Sequence, residues 1–252
     1  MDGEVFFYAI AGFCGGIVIF VLGLIWFRQR RMIENIPTSK IRSLAMGLAE
    51  IYGQVVKDKL LLKGPFSGDD CVYYKYQIQE LRHTKNSSYW ATIKKGEERV
   101  NFYIKDATGS VLVDPKGANI DILKDYEFGS GWGNDPPQQV LRFLEENGVR
   151  HESFFGMNKQ MRFIESSIEP GDKLYVLGTA GDNPFFEEAT AKHGHEDIMM
   201  QKGRFERFYY ISDKAEKDIL NRLRWKALGG IFGGIALTAG SMAVIFIFTG
   251  IL

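Results

Sequence analysis

Hydrophobic and polar positions divide this chain into three stretches with different periods. Val5–Phe27 (23 residues) and Ala227–Leu252 (26 residues) contain no Asp, Glu, Lys, Arg or His. Wound as helices at about 1.5 Å per residue, they reach roughly 34 and 39 Å, enough to cross a hydrocarbon core of about 30 Å. Between them, apolar residues recur at every second position in short runs. Val72, Tyr74, Tyr76 and Ile78 fall on one face of a strand over Cys71–Glu80, with Lys75, Gln77 and Gln79 on the other. Val100, Phe102 and Ile104 repeat the pattern, turn through Asp106–Gly109 and return along Val111–Pro115 as a hairpin. Gly109 is expected to supply the left-handed backbone of that turn. Further strands are predicted over Leu174–Gly178, after a Glu169–Asp172 turn, and from Phe205 to Ile211.

Three shorter helical signals accompany the strands. Thr38 or Ser39 is placed to cap a short helix through Leu44. Pro136-Pro137 opens a helix that stops at Asn147-Gly148, with Val140, Leu141 and Leu144 on its apolar face. Asp213 caps a third, with Glu216 at the capping-box position, which runs on into the second apolar stretch. Asp125–Gln139, carrying three glycines and two prolines, reads as a mobile surface loop. The predicted fold is that of a mixed α+β membrane protein, in which two transmembrane helices flank a mainly-β, OB-like small barrel with one or two helices. The expected divisions are an external N-terminus (1–4), a first span (5–27), a juxtamembrane segment (28–40), the β domain (41–212), a juxtamembrane helix (213–226) and a second span (227–252). Val72, Tyr74, Tyr76 and Phe102 are expected in the core, and binding is expected through the loops 125–139 and 182–203.

Charge adds an orientation. Arg28, Arg30 and Arg31 follow the first apolar run, and Arg222, Arg224 and Lys226 precede the second. By the positive-inside rule both clusters, and the chain between them, belong on the cytoplasmic side, with both termini outside. A signal peptide carries its positive charge before a shorter apolar run, so an uncleaved anchor is the better reading. Glycines on the spans suggest how they pack. Gly12 and Gly16 form one small-x-x-x-small pair, Gly229/Gly233 and Gly230/Gly234 two overlapping ones, and Ala236/Gly240 another. Such surfaces let helix backbones approach closely, either within one chain or between copies in a homo-oligomer.

Candidate chemistry is sparse. The two cysteines, Cys14 and Cys71, support neither a disulfide framework nor a Cys-rich zinc fold, and Cys71 reads as a small buried hydrophobe. His193 and His195, within His-Gly-His-Glu-Asp, are the only weak metal candidates, and a polar surface loop is the preferred reading of that segment. Gly129-Ser130-Gly131-Trp132-Gly133 lacks the Gly-Lys-Ser/Thr ending of a phosphate loop. Lys+Arg and Asp+Glu are equal at 31 each, so nucleic acid is not the expected partner. No catalytic residue and no cofactor are assigned, and Asp106 is read as serving its own turn.

Several blocks in series carry a resemblance. These are Pro37–Leu44 with Gly47–Gly53, Gly64-Pro65-Phe66-Ser67-Gly68, Cys71-Val72-Tyr73-Tyr74-Lys75-Tyr76, Phe102–Gly109 with Val111–Pro115, and Gly171–Gly178. Together, over roughly residues 36–215, they resemble the GIDE-type ("beside a membrane") domain of E3 ubiquitin ligases of the MULAN type. In that family the domain lies between two spans and a C-terminal RING performs the transfer. This sequence presents no RING, so the resemblance implies a prokaryotic-type relative in a plasma membrane, with a binding role rather than ligase activity. The expected function is a double-anchored scaffold that engages the lipid bilayer and a membrane or membrane-proximal protein. Two alternatives stand beside it: a component of a ligase-like or hydrolytic complex whose catalytic part is on another chain, and a ligand sensor.

Overall fold

Charge-free runs wind into helices and alternating runs pair into sheets. The computed structural model describes residues 2–57, 60–152, 158–185, 197–204, 208–214 and 216–249. In chain order the elements are α1 (Asp2–Glu34), a single 3-10 turn (Ile41–Ser43), β1 (Gly47–Val56), β2 (Leu62–Lys63), β3 (Asp70–Cys71), β4 (Tyr73–His83) and β5 (Ser88–Arg99). Then follow β6 (Phe102–Lys105), β7 (Ser110–Val113), β8 (Asn119–Asp121), β9 (Tyr126–Ser130) and α2 (Gln138–Glu146). The chain closes with β10 (Met161–Ile168), β11 (Lys173–Asp182), β12 (Ile198–Gln201), β13 (Tyr210–Ser212) and α3 (Glu216–Thr249). These form two units, Thr38–Lys214 and the pair of terminal segments Met1–Pro37 with Ala215–Leu252.

The larger unit is built on a closed five-strand barrel. β1 pairs antiparallel with β6, β6 with β7, β7 runs parallel to β12, and β12 pairs antiparallel with β11. The long β11 then returns to β1 from Gly47↔Ala180 to Gln54↔Lys173, which closes the ring. Closure removes the free strand edges of these five strands. Ile51, Val55, Phe102, Ile104, Val111, Val113, Leu174 and Val176 alternate inward to fill the barrel. A Cβ on Gly53 would lie 2.6 Å from the Lys105 carbonyl oxygen, so only glycine lets β1 and β6 close this tightly. β13 and β8 extend the sheet beyond β11.

Two insertions into the barrel, one between β1 and β6 and one between β7 and β11, meet to form a second sheet ordered β5-β4-β10-β9. One face of it buries Ile78, Met161 and Phe163 against Val140 and Leu144 of α2 and against Phe66. Phe66 sits edge-on to Phe143, Phe163 and Tyr76, with centroids 5.3, 5.6 and 5.8 Å away. A fully buried carboxylate fixes the turn that carries it. Glu165 accepts from the Phe66 and Ser67 backbone N–H groups at 2.6 and 3.3 Å and from the Ser67 hydroxyl at 2.6 Å.

In the smaller unit, α1 and α3 are both long and apolar enough to cross a membrane, and most of their surface is exposed. They lie antiparallel, with Phe6 beside Phe248 and Gly23 against Gly230.

Several expectations are corrected. The hairpin turn does not use left-handed Gly109, whose φ is not positive. Instead the Asp106 carboxylate accepts from the Thr108 and Gly109 N–H groups at 2.6 and 2.9 Å, and side-chain hydrogen bonds close the turn without special backbone. Thr38 caps no helix, because its hydroxyl donates to buried Glu50 at 2.6 Å and only the 3-10 turn follows. Asp213 is drawn to the Leu123 N–H at 2.8 Å. The 125–139 loop begins as β9, paired with β10 from Glu165↔Tyr126 to Met161↔Ser130. The helix ending at Gly148 forms as predicted, and φ is +63° at that glycine. Val72 and Phe102 are fully buried and Tyr74 nearly so, while Tyr76 is half-buried.

Candidate binding surfaces

β4 leaves its sheet at His83, β9 leaves at Ser130, and β5 and β10 enter at Ser88 and Met161. All four ends therefore lie at one edge of the sheet, across three strand spacings or about 14 Å. The chain turns sharply after β9. Gly131 and Asn134 exchange two backbone hydrogen bonds of 3.1 Å, with Gly133 at φ +74° between them. Trp132 sits at the tip, 92% exposed. Asp135 is held by Asn158 at the base of the turn. At the other side of the same edge, Tyr89 and Trp90 are 49% and 37% exposed, and the Arg162 guanidinium lies 4.4 Å above the Trp90 ring. An indole fixed on a tight turn loses little conformational freedom on binding, as partner-binding anchors require. The sequence located this segment, while the alternation of Tyr126 and Phe128 that marks β9 was masked by the glycines and prolines after it.

The sheet face opposite α2 forms a groove of about 670 Å³ lined by Lys75, Lys95, Lys124, Glu97, Ile122 and Ile164, among others. Burial, seconded by the nearby Lys214 charge, lowers the Lys75 pKa below the ordinary lysine value, although Asp213, Glu97 and Asp125 pull the other way. Lys124 and Arg162 share Glu127 at 3.3 and 3.2 Å. The surface is polar and mixed in sign.

Half-buried carboxyls and the buried Cys71 are engaged in the architecture. Burial pushes the Asp106 carboxyl up, but donors from Ile41, Thr108 and Gly109 outweigh it and hold it below the usual carboxylate range. Burial and neighbouring carboxylates raise the Cys71 thiol to about 12, which keeps it protonated and unreactive at neutral pH. Glu169 and Asp172 are both raised, first by burial and then by neighbouring carboxylates. Among the described residues no group of His, Cys, Asp and Glu is arranged to hold a metal ion. His193 and His195 lie outside the described residues.

On the helix pair, Gly12 and Gly16 face Ser241 and Thr238, and Gly230 and Gly234 face Gly23 and Phe20. Gly23, absent from the small-residue pairs read in the sequence, belongs to this contact because its partner spacing is seven residues from Gly16 rather than four. A Cβ on Gly229, Gly233 or Gly240 would meet open space among the described residues, so these three do not join it. Antiparallel pairing puts Arg28, Arg30 and Arg31 at the same end as Arg222, Arg224 and Lys226, where Lys226 stands over the Trp26 ring at 5.9 Å.

Two membrane-length helices around a closed β-barrel with an appended sheet fit a membrane protein whose polar part is a mainly-β domain. The sequence profile of the GIDE family, described as E3 ubiquitin ligase, matches residues 73–246. The chain belongs to that family. The match runs from β4 into the second long helix, so the Pro37–Gly53 and Gly64–Gly68 blocks precede it. No curated protein and no solved structure gives a match.

Proposed function

We propose that this protein is a double-anchored binding scaffold, an OB-like domain held beside a membrane by α1 and α3, which recruits a protein partner through the Trp132 turn. The OB-like reading rests on the strand order: numbering the barrel strands 1 to 5 along the chain, they close as 1-2-3-5-4, a Greek-key path. The observation that carries the binding role is Trp132, an almost fully exposed indole on a hydrogen-bonded turn, with Tyr89 and Trp90 at the same edge of the sheet. Isolated exposed apolar residues are ordinary on protein surfaces, but among the described residues a tryptophan so mounted has no packing role to explain it. Tethering at both ends confines the domain to a thin layer and raises its effective concentration toward other membrane proteins. In this reading the domain lies on the cytoplasmic side of a plasma membrane of prokaryotic type, with both termini outside; the two basic clusters support that sidedness.

The family description favours a second reading, in which the scaffold belongs to a ubiquitin-ligase-like complex whose catalytic part is on another chain. One experiment addresses both. A photo-crosslinking phenylalanine analogue placed at position 89, in membranes, captures a partner, and Trp132→Ala lowers capture at least fivefold. Recovery of a ubiquitin-conjugating or ubiquitin-like protein selects the ligase-linked reading. Capture unaffected by Trp132→Ala, or of nothing except this chain itself, defeats the scaffold.

A further inference from the structure

The end of the helix pair that carries the basic residues has a groove of about 520 Å³. Two guanidinium groups, Arg30 of α1 and Arg224 of α3, line it together with Phe27, Leu228, Ile231 and Phe232. From Arg224 to Phe232 is eight residues, or about 12 Å along α3, so the lining passes from charged to wholly apolar in two helical turns. Arg30 donates one terminal nitrogen to Glu34 at 3.2 Å, yet its Nε–H is shut off from solvent and has no hydrogen-bond partner. A buried guanidinium N–H without an acceptor is costly, so the Arg30 head gains by turning toward an anionic oxygen in the groove. Phe232 is 67% exposed beside it, and Trp26 and Trp225 lie at the same level as the arginines. Aromatic rings mixed with cations at one end of apolar helices mark the headgroup level of a bilayer.

We infer that this groove is a binding site for one anionic phospholipid, its phosphate between Arg30 and Arg224 and an acyl chain along Leu228, Ile231 and Phe232. The inference rests on the reading that α1 and α3 span a membrane. Basic pockets between transmembrane helices hold anionic headgroups by this combination of charge and apolar surface. A zwitterionic lipid fits less well, because its ammonium brings a third positive charge beside the two arginines.

The test uses the full chain in detergent, with phosphatidylglycerol and phosphatidylcholine as competing probes read by native mass spectrometry. The expected result is one phosphatidylglycerol retained per chain, at least tenfold over phosphatidylcholine. Arg30→Gln with Arg224→Gln abolishes that preference. Arg28→Gln with Arg31→Gln removes the same charge from outside the groove and leaves the preference intact. Glycerol phosphate, a headgroup without acyl chains, does not compete. The site is overturned if the two lipids bind equally, if the control pair loses as much as the groove pair, if glycerol phosphate displaces the lipid, or if a second copy of the chain occupies the groove. Alkaline carbonate extraction of the same variants separates the two failures. A chain that washes out of membranes sinks the spanning reading itself, whereas one that stays in but shows no lipid preference sinks only the lipid site.

Discussion

Glu165 shows what a single buried charge does in this fold. It lies on β10 with no exposure, and its two oxygens receive the Phe66 N–H, the Ser67 N–H and the Ser67 hydroxyl. Removing it leaves the two amides and the hydroxyl without their acceptor and loosens Phe66, the ring at the centre of the smaller core. Glu165→Ala is therefore expected to destabilise the protein by about 3 kcal/mol in chemical denaturation, and Glu165→Gln by less because one acceptor survives. Other carboxyls act through pH. Glu169 and Asp172 are held above their ordinary values of 4.5 and 3.8, so the folded state takes up their protons first as pH falls. Their contribution therefore grows from neutral pH downward, is complete below those ordinary values, and is lost as pH rises through the folded ones. Asp106 has the opposite sign: lowered below 3.8, it stabilises above that value and its contribution disappears as pH falls through the folded one. Stability measured by denaturant titration is expected to increase from pH 7 toward 5. Asp172→Asn, which retains an acceptor for the Glu169 N–H, reduces that increase and raises stability at pH 7; an unchanged slope rejects the assignment.

At the scale of elements, α1 and α3 pair because glycine removes the side chains that would hold them apart. A Cβ on Gly16 meets the Thr238 backbone nitrogen at 2.8 Å, and one on Gly230 meets the Gly23 Cα at 2.7 Å. Backbone cannot move aside as a flexible side chain does, and in lipid little else favours association. Gly16→Leu or Gly230→Leu is expected to reduce several-fold a disulfide engineered between positions 6 and 248 in a Cys14→Ala background. Gly233→Leu, on the open side of α3, leaves it unchanged. The hairpin of β4 and β5 illustrates a different economy. Ile93 is the extra residue where the register shifts between Ile78 and Gln79, and it packs toward the smaller core. Such a bulge also twists the exposed edge of β5 away from flat pairing with another strand.

For the whole molecule, the decisive property is that a barrel domain is tied at both its ends to membrane-length helices. Both basic clusters fall at one end of the antiparallel pair, as the proposed cytoplasmic placement of the intervening domain requires. Carbonate washing is expected to leave the protein in the membrane fraction. External protease is expected to spare residues 38–214 in sealed cells and to digest them once the membrane is opened. Digestion in sealed cells reverses the orientation.

The sequence by itself determined the two long helices, the strand-turn-strand of β6 and β7, α2 with its glycine stop, the core role of Val72 and Phe102, and the family. These depend on local period and on neighbours within a few residues. Only the tertiary structure decided which strands close the barrel, because β1 meets β11 across more than a hundred residues and no local pattern encodes a partner that distant. The same holds for Glu165 beneath the Phe66 turn, for Gly23 in the helix contact, and for Arg30 and Arg224 at one groove. Each depends on two segments arriving together, and a chain read one window at a time carries the chemistry of both without their meeting.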